Sequence, residues 1–141
     1  MPKDLTAPTH ARRFGKTREA RAASMLEDCT ELIFDLHQTR GEARMTDIAS
    51  YLGVAHPTAS KAIARLKRQG LVVAEPYRGV FLTPAGRAMA ERSRQRHRLV
   101  VDLLLAVGAP PEAAEADAEG IEHYVSEATL SAFAAFLQGR G

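Results

Sequence analysis

The sequence predicts a mainly α fold, an N-terminal winged helix-turn-helix followed by an all-helical dimerisation domain, and three observations carry that prediction. First, a short apolar-periodic segment, a Gly53-Val54 turn and a second periodic segment opening at Pro57 stand in helix-turn-helix order. Second, two short β signals flank Glu75-Pro76-Tyr77-Arg78-Gly79, where a wing would follow. Third, everything after Thr83 reads as helix, in too few residues to bury a core of its own. Burial against a second copy is the remedy, so a homodimer is expected.

The elements follow in order. Residues 1–23 are charged and lack an apolar stripe, and read as a basic, solvated, poorly ordered tail. Leu26, Cys29, Leu32, Ile33 and Leu36 recur at helical spacing and predict helix 1 over about 25–38. Thr46 is the expected N-cap of a short second helix with Ile48, Ala49 and Leu52 inward. Pro57 suits the first position of a third helix, where its missing N–H costs nothing, and Gly70 is placed to end it. Leu71-Val72-Val73 and Val80-Phe81-Leu82 predict the hairpin. Thr83-Pro84 caps and opens a long helix to about Val107. Further helices are expected at about 112–124 and after a Ser126 cap. The expected domains are thus 1–23 (tail), 24–83 (winged helix-turn-helix) and 84–141 (helical).

No apolar run approaches the ~18 residues of a membrane span, and no hydrophobic stretch follows the positive N-terminus as in a secretory signal. One cysteine, Cys29, forms no internal disulfide, there is no CxxC pair, and a reduced cytoplasm is the expected location. The net charge of +2 hides an asymmetry. Residues 1–98 carry 18 Lys/Arg against 10 Asp/Glu, a balance of +8, whereas residues 99–141 carry one Arg against seven acids, a balance of −6. A basic half suits a polyanion and an acidic half suits cations.

On the third helix Thr58, Lys61, Arg65 and Arg68 share a face opposite the Ala59, Ile63 and Leu66 stripe. Alone, such a face is a solvated one; between a helix-turn and a basic wing it reads as the face that enters the major groove of double-stranded DNA. Thr58, Ser60 and Lys61 are expected near base edges, Pro57 and the Ala59 methyl near thymine methyls, and Arg65 and Arg68 at phosphates. Tyr77 and Arg78 form the expected wing tip. His56 caps the helix or touches a phosphate. Arg87, Arg92, Arg94, Arg96 and Arg98 cannot all face one way, and most read as solvated. Arg12, Arg13, Lys16, Arg18 and Arg21 would add non-specific affinity.

Glu119, Glu122 and His123 stand at i, i+3 and i+4, on one side of a helix, and Asp28 and Glu31 are spaced i, i+3 on helix 1. His97 shares a face with Val100, Val101 and Leu104; a histidine in that setting is more often a hydrogen-bonded core residue. Together, four carboxylates and two imidazoles without thiolates form a hard oxygen/nitrogen donor set suited to Mn²⁺ or Fe²⁺. Without a cation, so many converging acids would repel. Spacing alone does not say whether the three helices converge. Cys29 lies about 100° around the helix from Asp28 and is expected to pack inward. His10 is assigned to the tail and His37 to the helix surface.

Several segments resemble the manganese-transport-regulator branch of the diphtheria-toxin-repressor family of metal-dependent repressors. They are Leu26-Glu27-Asp28-Cys29-Thr30-Glu31-Leu32-Ile33, Gly53-Val54-Ala55-His56-Pro57-Thr58, Tyr77-Arg78-Gly79-Val80-Phe81-Leu82-Thr83, Arg96-His97 and Asp117-Ala118-Glu119-Gly120-Ile121-Glu122-His123. The last string is the most specific, and the resemblance runs from about Leu26 to Phe136. It implies a binuclear manganese site from Asp28, Glu31, His97, Glu119, Glu122 and His123, between the winged domain and a helical metal-binding and dimerisation domain. It also implies Mn²⁺ as corepressor, a near-palindromic operator and manganese uptake genes as targets. Iron-responsive relatives carry methionine at the position of Asp28 and cysteine at that of Glu122; this chain has oxygen donors at both. Tyr124 replaces a histidine often found there, and an SH3-like third domain is not expected.

Three rivals stay in view. An iron-responsive member of the same family would use Fe²⁺. A winged-helix regulator answering a small organic ligand would leave the acids solvated. A di-metal carboxylate enzyme would need two Glu-x-x-His pairs on separate helices, and here Glu119-x-x-Glu122-His123 offsets its histidine by one, so no enzyme is expected.

Overall fold

The computed structural model describes residues 6–140, and the side chains of residues 16, 17 and 140 are left out of the description. Six helices and one hairpin follow in order: α1 (Ala7–Arg40), α2 (Met45–Leu52), α3 (His56–Arg68), β1 (Val72–Glu75), β2 (Gly79–Leu82), α4 (Pro84–Ala106), α5 (Pro111–Ile121) and α6 (Glu127–Arg140). Contacts divide the chain into two units, Met25–Leu99, and the residues up to Ser24 together with those from Val100 onward. The division falls within α1 and within α4.

In the unit Met25–Leu99, Leu26, Cys29, Ile33 and Leu36 of α1 join Ile48 and Ala49 of α2, Ala59, Ala62, Ile63 and Leu66 of α3, and Leu71, Val72 and Val80 of the hairpin in one core. Ile33, Ile48 and Leu66 are among its largest fully buried side chains, and each such residue contributes about 1.5–3 kcal/mol. The turn between α2 and α3 needs Gly53, whose φ is 70°, as the left-handed cap whose N–H bonds back into α2. Arg44, not Thr46, is the N-cap of α2, without a side-chain bond. Ala55 caps α3, so His56 lies inside that helix and does not cap it; Ser60 Oγ lies 3.4 Å from its Nδ1.

The hairpin is antiparallel, with Val72 opposite Leu82 and Glu75 opposite Gly79, so β1 reaches two residues and β2 one residue nearer the turn than the apolar runs alone predict. Val80 N–H donates to Ala43 O at 2.8 Å, and His37 Nε2–H donates to Val80 O at 2.7 Å while its ring tilts over Phe81 at 4.9 Å. His37 is therefore half-buried and fastens β2 to α1, rather than lying on the helix surface. Thr83 closes the wing: its hydroxyl donates to Gly70 O at 2.7 Å and accepts from Gly86 N–H at 3.1 Å, capping α4.

The other unit contains the first half of α1, the end of α4, α5 and α6. Val100, Val101, Ala114, Ala118 and Leu130 are its buried apolar residues. After α4, Gly108 (φ 103°) turns the chain, and Ala109 N–H reaches back to Leu104 O at 2.9 Å. Ser126 Oγ accepts from Thr129 N–H at 3.2 Å and caps α6 as its sequence position predicts.

Two expectations are corrected. Residues 7–23 are not an irregular tail but the start of a 34-residue helix, about 50 Å long. Thr6 Oγ caps it by accepting from Thr9 N–H at 3.3 Å. The segment is rich in Ala and Arg, strong helix formers that need no apolar stripe to be helical. Residues 1–5 of the expected tail, and the side chain of Lys16, lie outside the described residues. Second, α5 ends at Ile121, so Glu122 and His123 fall in the turn beyond it. Glu122 N–H still reaches Ala118 O, whereas His123 and Tyr124 N–H reach Gly120 O and Ile121 O, three residues back. No helix among the described residues is long and apolar enough to cross a membrane.

Candidate metal centre and nucleic-acid interface

Helix α3 separates its two faces sharply. Ala59, Ala62, Ile63 and Leu66 are buried, while Pro57, Thr58, Lys61, Arg65 and Arg68 are exposed and Ser60 is half-buried. The Ala59 methyl is fully buried, so it cannot make the thymine contact expected of it. Lys67 is a further exposed cation near the end of α3, off the four-residue stripe that drew the eye in the sequence. At the wing tip Tyr77 adopts a φ of 64° and is 93% exposed. A tyrosine in the left-handed region costs about 1–2 kcal/mol, and Arg44 donates to its carbonyl at 3.1 Å. Arg78 pairs with Glu75 at 2.9 Å and lies over the Phe81 ring at 5.3 Å, so its guanidinium is braced within the wing.

Each unit carries part of the expected metal-ligand set. In the unit Met25–Leu99, Asp28 and Glu31 on α1 and His97 on α4 are all half-buried. Ser93, fully buried one turn before His97, donates its hydroxyl to Glu31 Oε1 at 2.6 Å. Arg96 pairs with Glu27 at 2.6 Å, and Arg94 pairs with Asp35 at 2.6 Å while covering the Phe34 ring. These two arginines, read from the sequence as solvated, instead pair with carboxylates of α1. Spacing gave no sign of these pairings, because the partners lie 69 and 59 residues away.

In the other unit Glu119 is exposed, whereas the Glu122 and His123 side chains are 1% and 3% exposed, with Glu122 Oε1 3.3 Å from His123 Nε2. A carboxylate buried this deeply calls for positive charge, from a protonated imidazole or from a bound cation. The donor chemistry fits a hard divalent ion: carboxylate oxygens and imidazole nitrogens. Cys29 does not soften it. Burial, and secondarily the Asp28 charge, push the Cys29 thiol up to about 12, so it stays protonated at neutral pH.

Comparison with known proteins gives the family. Residues 23–80 match the model of the iron dependent repressor N-terminal DNA binding domain, and residues 83–139 match that of the iron dependent repressor metal binding and dimerisation domain. The chain is 48% identical over 132 residues to the transcriptional regulator MntR of Escherichia coli O6:H1, covering 94% of this chain and 85% of that protein. It is 37% identical over 113 residues to the HTH-type transcriptional regulator MntR of Lysinibacillus sphaericus, covering 80% and 81%. Among solved structures, a manganese-dependent transcriptional repressor in complex with manganese superposes with a TM-score of 0.71 at 30% identity, covering 80% of this chain and 52% of that one. The manganese regulator SloR does so with a TM-score of 0.69 at 26% identity, covering 80% and 53%. The chain spans about half the length of these two solved proteins. With both domain models matched in order and close to half of its residues shared with a curated relative along almost its whole length, the chain belongs to the MntR branch of the iron-dependent (diphtheria-toxin) repressor family of DNA-binding, metal-binding regulators.

Proposed function

We propose that this chain is a manganese-dependent DNA-binding transcriptional repressor that acts in the cytoplasm as a homodimer, with Mn²⁺ as corepressor and manganese uptake genes as targets. The observation that carries this reading is the donor set. Asp28 and Glu122 offer oxygen where a softer ion would favour sulfur, and Cys29 is held as a thiol. The manganese in the description of the structural relative supports it.

The proposed ligands are Asp28, Glu31, His97, Glu119, Glu122 and His123, in a binuclear site. Bound Mn²⁺ supplies divalent charge that offsets the repulsion among four carboxylates. Asp28 and Glu31 then hold α1, and with it the helix-turn-helix, to the helices that carry the other ligands. In a dimer this fixes the separation of the two α3 helices, a population shift toward the conformation that binds DNA. Two-fold symmetry calls for a near-palindromic operator with half-sites on successive turns. Leu105, Val107, Tyr124 and Phe136, each at least 42% exposed, give the helical unit apolar surface for a second copy to cover.

On the DNA, Pro57, Thr58, Ser60 and Lys61 approach base edges, Arg65 and Arg68 meet phosphates, and Tyr77 and Arg78 present the wing. Fe²⁺ is the second reading, favoured by the iron in the names of both matching domain models. Operator binding titrated in parallel with Mn²⁺, Fe²⁺, Co²⁺ and Zn²⁺ decides. Activation by Mn²⁺ at lower free concentration than Fe²⁺ supports manganese, the reverse order supports iron, and indifference to every metal removes the corepressor role.

A further inference from the structure

Three carboxylates at intervals of four along α1, those of Glu27, Glu31 and Asp35, reach α4 from one face of the helix. The outer two meet guanidinium groups, Arg96 for Glu27 and Arg94 for Asp35, each at 2.6 Å. The middle one, Glu31, accepts from the hydroxyl of Ser93, also at 2.6 Å. Ser93 is fully buried. A buried helical serine commonly returns its proton to a carbonyl of its own helix; this one reaches across to a residue 62 positions away. The separation is that of a charge-assisted O–H···O⁻ bond. Such a bond fixes the carboxylate's rotamer, and a neutral donor does so without cancelling the negative charge.

We infer that Ser93 is a positioning residue of the metal centre: its hydroxyl orients the Glu31 carboxylate for cation binding while leaving that carboxylate its charge. The inference rests on the reading of Glu31 as a metal ligand. Ser93 lies one helical turn from His97, so one face of α4 carries both a proposed ligand and the group that orients another. Outer hydrogen-bond partners of metal ligands set affinity by about 10–100-fold, and Ser93 is assigned that part.

The test is a double-mutant cycle on the full chain, reading Mn²⁺ affinity from the loss of the free-Mn²⁺ EPR signal and stability from thermal unfolding of the metal-free protein. Ser93→Ala is expected to weaken Mn²⁺ binding about 10–100-fold while lowering the metal-free unfolding temperature by no more than the loss of one hydrogen bond, and to add no loss of affinity when Glu31 is already alanine. Ser93→Thr, which keeps the hydroxyl, is expected to restore tighter binding than alanine. If the alanine variant does not fold, Ser93→Cys, a much weaker donor, takes its place in the cycle. Unaltered Mn²⁺ affinity in the Ser93 variant, or a full additional loss in the Glu31→Ala background, overturns the inference while leaving Glu31 a ligand. Unaltered affinity in Glu31→Ala itself overturns the ligand assignment, and this inference with it.

Discussion

Gly86 in the first turn of α4 should reverse the usual effect of replacing a helical glycine. Glycine to alanine inside a helix ordinarily stabilises by about 1 kcal/mol, because glycine surrenders more backbone freedom on folding. At Gly86 a Cβ would run into the carbonyl oxygen of Leu71 and lie 3.1 Å from Leu82 Cδ2. That carbonyl already accepts from Thr83 N–H at 3.0 Å, so it cannot swing aside without weakening a bond worth about 1 kcal/mol. Forcing a methyl into packed surroundings costs a further 1–3 kcal/mol or so. Set against the helical gain, Gly86→Ala should lose about 2 kcal/mol net, with the bond between Thr83 and Leu71 as the first casualty. Gly120 in α5 is the control, since nothing lies within 4 Å of its Cβ position; Gly120→Ala should gain up to about 1 kcal/mol. Urea denaturation of the metal-free protein measures both. If Gly86→Ala is as stable as the parent, the close approach of α4 to the wing is wrong.

Other expectations follow from the same contacts. Leu66→Ala, at a position with no exposure, should cost about 2–5 kcal/mol by urea denaturation. Lys61→Ala and Arg65→Ala should separate by salt: loss of the Arg65 phosphate contact lowers the slope of log affinity against log salt by about 1 and acts alike on all sequences, whereas loss of Lys61 relaxes discrimination at one base pair. The Cys29 thiol, raised from 9.0 to about 12, favours the folded state fully below pH 9. Above that the unfolded chain ionises first, so stability should fall as pH rises from about 9 towards 12, and a Cys29→Ser variant should lose this part of the alkaline decline. Alkylation of native Cys29 at pH 8 should be correspondingly slow beside the unfolded chain.

Much of the fold was legible because its signals are local. The Ala59, Ile63 and Leu66 period, the Thr83-Pro84 opening and the Ser126 cap each depend on a few neighbouring residues. The first half of α1 escaped because its residues form no apolar stripe, and its alanines and arginines signal helix only through propensity. The end of α5 escaped for a different reason. No glycine or proline stands in the turn directly after Ile121, and Gly120 lies inside the helix instead of ending it. Of the candidate site, residue types and spacings named the proposed ligands, with Asp28, Glu31 and His97 owing most to family resemblance. Ser93, Arg94 and Arg96 were invisible in these roles, because what they touch is set by packing between distant segments and by no period in the chain.

The most direct measurement is operator affinity of the parent and of Glu122→Ala, each with saturating Mn²⁺ and with chelator. Glu122 is the buried carboxylate among the proposed ligands, at one of the two positions on which the manganese reading rests. The account predicts tight binding by the parent only with Mn²⁺, and weak, metal-indifferent binding by Glu122→Ala with its metal-free fold intact. Equal affinity of the parent in Mn²⁺ and chelator, or an undiminished Mn²⁺ response in Glu122→Ala, would contradict it.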